Sequence, residues 1–405
     1  MTTATASEAA PGGAFSLKPL LFTAGVGSMS MMAFVAVVGP MARLLGMQPW
    51  HVGAAVTAAG LAWMLMARFW GVRSDQVGRR RVLLAALAGF AVSYAFLGLF
   101  MSAALALVPA AIISFIGMTV ARTAAGAFYA AVPPICAAVV ADNTAPHERA
   151  RAMGAVGAAS SLGIVFGPGV AGLLAGWSLS ASLIIISTLP VLAFIAVWRF
   201  LPADVPHETR KKSALKLSDV RIRRAVATAF FAMYGVVVCQ VVVGFLALDR
   251  FGLSPNEAAR TAGIALAVVG VVLFSAQMVL RRLNWPPSRF IRIGGSIAAV
   301  GFVCAVFAAT PMQLWAAYGV IAAGMGWVYP SQSALAANAV ESHEQGAAAG
   351  AVGAAQGLGA VIGPLGATLA YQVAHGAPYA LSAVMILIAA LWPAARLSAE
   401  RAPAE

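Results

Sequence analysis

Charge is what this sequence has least of. Only 10% of its 405 residues are charged, against about a quarter in soluble domains. Just 13 are acids. Cys136, Cys239 and Cys304 lie singly in apolar runs with no paired spacing. That excludes a disulfide framework and leaves them as small core residues. The histidines, at 51, 147, 207, 343 and 375, are scattered, and although three precede a glutamate none completes H-E-x-x-H. No G-x-S-x-G and no phosphate loop occur, so neither a hydrolase nor an ATP-driven pump has its chemistry here. The ten-residue alternation of a membrane barrel is missing too. The first fifteen residues are small and polar, with no convincing cleavage site after the first apolar run, so a retained first helix is expected.

What is present in excess is apolar sequence, 61% of the chain. Its runs approach the roughly 20 residues that cross a bilayer. Twelve spans are predicted, at 19–41, 51–70, 82–104, 108–139, 149–175, 180–200, 224–248, 257–280, 289–309, 313–338, 345–372 and 377–396. The fold class is therefore all-α membrane protein, twelve transmembrane helices in two six-helix bundles. Residues 1–18 form a tail, 19–200 one bundle, 201–223 a basic linker, 224–396 the second bundle and 397–405 a second tail. Pro133-Pro134 predicts a kink in the fourth span. The net charge of +13 would suggest nucleic acid in a soluble protein. Here all but four of the 26 Lys and Arg fall on one side of the predicted membrane. The exceptions are Arg43, Arg250 and Arg260 opposite, and Arg122 inside a span. That asymmetry predicts both termini cytoplasmic, membrane lipid as a partner and no nucleic acid.

The chain spells one phrase twice. GAVGAASSLGIVFGP at 154–168 returns as GAVGAAQGLGAVIGP at 350–364, 196 residues later. At the same offset, His147-Glu148 matches His343-Glu344 and Pro134 matches Pro330. Tandem halves of this kind are parallel repeats with a substrate site near the midplane where they meet. Within the phrase, Gly163 and Gly167, and again Gly359 and Gly363, stand four apart before Pro168 and Pro364. Each pair clears a face on which another helix can approach. Gly167 to Gly172 also matches G-x-G-x-x-G, but inside an apolar helix and without a preceding strand, so a nucleotide reading fails and no cofactor is expected.

Between spans two and three stands GVRSDQVGRRR, residues 71–81. Gly71 and Gly78 permit a tight turn, and Asp75 can pair with an arginine near a helix N-terminus. Through Gly71, Asp75, Gly78, Arg79 and Arg80 this resembles the cytoplasmic loop signature of the major facilitator superfamily. Arg122 and Gly126 in ARTAAG resemble the family's fourth-helix motif, and Gly163, Gly167, Pro168 and Gly169 its antiporter-associated fifth-helix motif. ADNTAPHERARAMG, with Asp142 and Glu148, resembles the loop joining those two helices. The match is closest to the twelve-helix drug:proton antiporter group. The resemblance implies that Asp75 and Arg79 latch the halves, that Arg122 serves proton or substrate coupling, and that the fifth-helix glycines act as hinge and seal. The second half departs from it: RRLNWPPSRFIR lacks the glycines and the aspartate, and Tyr318 stands where Arg122 would.

A charge within a span is costly and by default functional. Arg122 either snorkels to an interface or faces a central cavity, where it would attract an anion or repel a proton. No acid falls mid-span, so proton coupling would use Asp75, Asp142 or Asp249, or titrate on the substrate. Other coupling or substrate candidates are Tyr129, Tyr234, Gln240, Gln332 and Gln356, with Gln277, Tyr329 and Ser160 as further polar positions. Met29, Met31 and Met32 line an adaptable pocket or simply pack. The expected activity is export of a small molecule, a drug, metabolite or siderophore-like anion, by a non-enzymatic monomer of a bacterial inner membrane, coupled to the proton gradient. An uptake symporter and a non-transporting receptor or scaffold are the alternatives.

Overall fold

The computed structural model describes residues 16–145, 148–202, 219–280, 282–341 and 344–392. Among them are fourteen helical segments and no strand. They are α1 (Lys18–Leu44), α2 (Pro49–Val77), α3 (Arg79–Leu107), α4 (Ala111–Tyr129), α5 (Val132–Asn143), α6 (Arg149–Ala175), α7 (Leu179–Ser187) and α8 (Leu189–Phe200). After the linker come α9 (Arg223–Asp249), α10 (Pro255–Leu280), α11 (Pro287–Phe307), α12 (Pro311–Ala337), α13 (Gln345–Val373) and α14 (Ala377–Leu391). Two spans are each built from two segments, α4 with α5 and α7 with α8, so the fourteen make twelve. Ten are long and apolar enough to cross a membrane by length and composition.

Prolines explain the breaks. Pro133 and Pro134 lack the N–H groups that would tie Val132 onward to α4, and the helix restarts at Val132. Pro190 breaks the sixth span in the same way at Thr188, a break the apolar run did not reveal. Pro330 alone leaves α12 continuous. The last span ends at Leu391, short of the predicted 396. Trp392 precedes a proline and is extended, at φ −53° and ψ 123°.

Each half packs by the same scheme. α6 lies on α1 as α13 lies on α9; α2 meets α4 as α10 meets α12; α3 meets α8 as α11 meets α14. Between halves, α6 crosses α10, α13 crosses α2, and α1 meets α9 and α10. This is the arrangement of two six-helix bundles joined side by side. One end of the molecule carries the entry to α9 and the α2–α3 turn and is called the linker end below.

Candidate functional site

Among the described residues, the contacts that close the seam between the halves gather at one end. Far from the linker, Gly39 and Gly244 bring α1 and α9 into backbone contact: a Cβ on Gly39 would sit 3.2 Å from the Phe245 nitrogen. A Cβ on Gly172 of α6 would lie 2.7 Å from the Cα of Gly263 on α10. One on Gly263 would meet the Pro168 carbonyl at 2.8 Å, and one on Gly53 of α2 the Pro364 carbonyl of α13 at 2.6 Å. Small residues here let backbones approach where lipid supplies no hydrophobic drive. Thr57 Oγ1 donates to the Val361 carbonyl at 2.7 Å, again from α2 to α13. Arg43 of α1 pairs with Asp249 of α9 at 2.5 Å, and the Tyr371 hydroxyl of α13 donates to the same carboxylate at 2.9 Å. This three-residue clasp joins both halves.

At the linker end the described glycines face open space instead. A Cβ on Gly71, Gly154, Gly157, Gly350, Gly353 or Gly357 would meet nothing within 4 Å. The duplicated phrase thus has two zones. Its first glycines face open space, while its later ones are packed. The packed pairs close on their own half. Gly163 and Gly167 seat on Met29 of α1, with a Cβ on Gly163 only 2.8 Å from its nitrogen, and Gly359 and Gly363 seat on Phe230, Met233 and Val237 of α9. The contact between halves falls one face round, on the Pro168 and Pro364 carbonyls and on Gly172.

The α2–α3 signature forms a compact ionic cluster within the first half. Gly78, at φ 105°, is the whole turn. α2 runs unbroken through Gly71, so the expectation of a second turn glycine there is corrected. Arg79 opens α3 and pairs with Asp75, at 2.6 Å, and with Asp142 of α5. Arg79 Nη1 also donates to Ser74 Oγ at 3.2 Å, and Arg80 donates to the Trp198 carbonyl at 2.6 Å. The residues expected to latch the two halves therefore hold α2, α3 and α5 together in this conformation. Nothing in the motif itself announced Asp142 as the second partner.

Arg122 neither snorkels nor faces a cavity: it is only 2% exposed. Nη2 donates to the Met31 carbonyl of α1 at 3.0 Å, Nη1 reaches the Met31 sulfur at 3.1 Å, and the guanidinium lies 4.9 Å from the Phe34 ring centre. Its Nε has no partner. Tyr318, at the repeat-equivalent position, donates its hydroxyl to the Cys239 carbonyl of α9 at 2.8 Å and accepts a hydrogen bond from the Tyr379 hydroxyl at 2.8 Å. The repeat thus keeps a side chain on a carbonyl of its partner helix and exchanges a cation for a neutral hydroxyl.

Tyr129, the last residue of α4, bonds Ser28 of α1 at 2.9 Å through its hydroxyl. In the second half Tyr234 and Gln332 are buried, and neither the tyrosine hydroxyl nor either amide atom of the glutamine has a partner. A buried, unpaired polar group is expensive and asks for a ligand or water. Tyr329 approaches the Met233 sulfur at 3.8 Å. Gln240, Gln277, Gln356 and Ser160 are half-buried. Met31 is buried and Met29 and Met32 partly so, packed on α4 and α6. Asp249 stands at the clasp, as its position at a span end allowed, and Glu257 is spent on capping Ser254. Arg43 and Tyr371 were missed as its partners; the available signal was that Arg43 and Asp249 end spans one and seven. Among the described residues no acid lies mid-span and no cluster suits a metal ion.

Two matches to a family model, described as Major Facilitator Superfamily, cover residues 20–364 and 261–405. The chain belongs to the Major Facilitator Superfamily. It is a multi-pass membrane transporter and not an enzyme. The class G tetracycline resistance protein of Vibrio anguillarum is 30% identical over 81% of this chain and 82% of its own length. The class C tetracycline resistance protein of Escherichia coli is 28% identical over 84% and 85%. Among solved structures, a bacterial homolog of the human lysosomal transporter Spinster, inward-facing and occupied, superposes with a TM-score of 0.73 over 92% of this chain and 94% of its own, at 14% identity. That last likeness concerns the superfamily fold alone.

Proposed function

We propose that this superfamily member exports a small organic molecule by alternating access. The observation that carries the reading is the one-sided seam, sealed by glycines and the Arg43–Asp249–Tyr371 clasp at one end, with the described glycines of the linker end facing open space. The crowding of arginine and lysine at the linker end supports placing that end, and both termini, in the cytoplasm of a bacterial inner membrane. On this orientation the conformation is inward-open, ready to load from inside. Outward movement of a drug is the simplest way for a membrane carrier to confer resistance, and two relatives are named for tetracycline resistance. Tyr234 and Gln332 supply neutral, unpartnered hydrogen-bonding groups for substrate. Arg122, locked on α1, fixes the chamber wall instead of meeting the substrate first. Coupling to protons would use Asp249 at the clasp, Asp75 or Asp142 in the α2–α3 cluster, or the substrate's own titration.

Transport into everted vesicles from cells expressing the chain tests this. Tetracycline and a panel of organic cations and anions are offered, with and without an ionophore that collapses the proton gradient. Accumulation that needs the gradient is expected for at least one compound. Flux only in the opposite direction would make the chain an uptake carrier, and absence of flux with intact protein would favour a receptor or scaffold.

A further inference from the structure

We propose that the linker end of the second bundle holds an anionic phospholipid, its phosphate among Arg224, Arg289 and Arg292 and an acyl chain along α14. Three helices meet there. α9 contributes Arg223 and Arg224 at its first two residues, and α11 begins at Pro287. α14 ends beside them, because Gly295 of α11 sits against Ala390 closely enough that its Cβ would lie 2.7 Å from the alanine's. A recess on the first turns of α11 is lined by Ser288, Arg289, Arg292 and Ile293. A second, apolar groove runs from Arg223 along Val384, Leu387, Ile388 and Leu391 to Trp392.

Arg224 distinguishes this place from an ordinary basic rim. It is 8% exposed, and its Nε and Nη2 are buried without a hydrogen-bond partner. It lies near enough to Arg292 for the two like charges to repel. Burying an unpaired cation beside another is costly unless an anion joins them. Asp219 and Glu344 do not serve, since both are paired with Arg221. Among the described residues no carboxylate forms an ion pair with Arg223, Arg224, Arg289 or Arg292. A phosphate group supplies the negative charge and several acceptors, and the N-terminal dipole of α11 favours it there. The neighbouring groove is apolar, and Val384 and Leu391 are 56% and 61% exposed. A diester carrying a hydrocarbon chain fits this pairing of charge and grease, whereas free phosphate would leave the groove bare.

Native mass spectrometry of the full-length protein, titrated in detergent with phosphatidylglycerol or phosphatidylcholine, tests the site. Phosphatidylglycerol should bind at one saturable site. Arg224→Gln and Arg292→Gln should each weaken it about fivefold, in line with the worth of one arginine near an anionic headgroup. Because Arg292 is exposed, its variant keeps the test open should the buried one unfold. Arg68→Gln and Arg151→Gln, each removing the same single charge elsewhere at this end, should change nothing. Equal weakening in either control, equal binding of phosphatidylcholine, or displacement of the lipid by millimolar inorganic phosphate would each overturn the proposal.

Discussion

At the scale of single residues, the glycines of the repeated phrase divide by what lies opposite them. Gly163 has the backbone of α1 at touching distance, so a larger side chain must push the helices apart. Gly163→Val should cost about 1–3 kcal/mol, the usual toll of overpacking, read as a lower melting temperature in detergent. Gly157 faces open space, and Gly157→Val should leave the melting temperature unchanged. If the linker end closes during the cycle, the same change should still slow transport severalfold. Arg122 gives a second contrast. Lysine keeps the charge but carries its donors on one nitrogen, without the planar fork that reaches the Met31 carbonyl through Nη2 and the sulfur through Nη1. Arg122→Lys should therefore lose most transport activity while the protein is still inserted, and wild-type flux in that variant would remove Arg122 from the mechanism. The sequence announced Arg122 by its charge within an apolar run. It could not announce that the guanidinium turns toward α1, because that depends on which face of α4 the neighbouring helix covers.

Between elements, the clasp of α1, α9 and α13 is the counterpart of the ionic cluster at the α2–α3 turn. Asp249→Asn removes the ion pair to Arg43 and weakens the bond from Tyr371. Breaking a partly buried pair is worth about 1–3 kcal/mol, enough to move a population of conformers severalfold. The variant should thus expose the sealed end more often, measured as faster labelling of a cysteine placed near Gly39. A second contact ties the entry of α9 to the start of α13. The Arg221 guanidinium hydrogen-bonds the Asp219 carboxylate and holds it below its usual pKa, while Glu344 and Asp219 together raise that of Arg221. A carboxylate with a lowered folded-state pKa stabilises the protein above its ordinary range and loses that contribution as pH falls through the lowered value. Melting temperatures of wild type and Asp219→Asn should differ evenly above about pH 5 and converge below about pH 4. A gap widening toward acid would contradict this. Helix positions were legible from run length, and the break at Pro133-Pro134 from two adjacent missing donors. Gly71 misled because a glycine in a helix leaves the same letter as one in a turn, and only Gly78 takes a positive φ.

For the whole molecule, the duplicated phrase foretold two related bundles, and the matched pairings of α6 with α1 and α13 with α9 are its three-dimensional form. Which end of the seam is shut could not be read from letters, since both ends carry the same small residues and the difference is one of tilt. The central claim is that the two ends open in turn. Paired spin labels at the exposed positions 151 and 345 of the linker end, and at 177 and 373 of the other, would measure it by double electron–electron resonance in lipid nanodiscs. The account predicts two distance populations at each end, the short one growing at the linker end as the long one grows opposite. A single fixed distance at both, or both ends widening together, would contradict it.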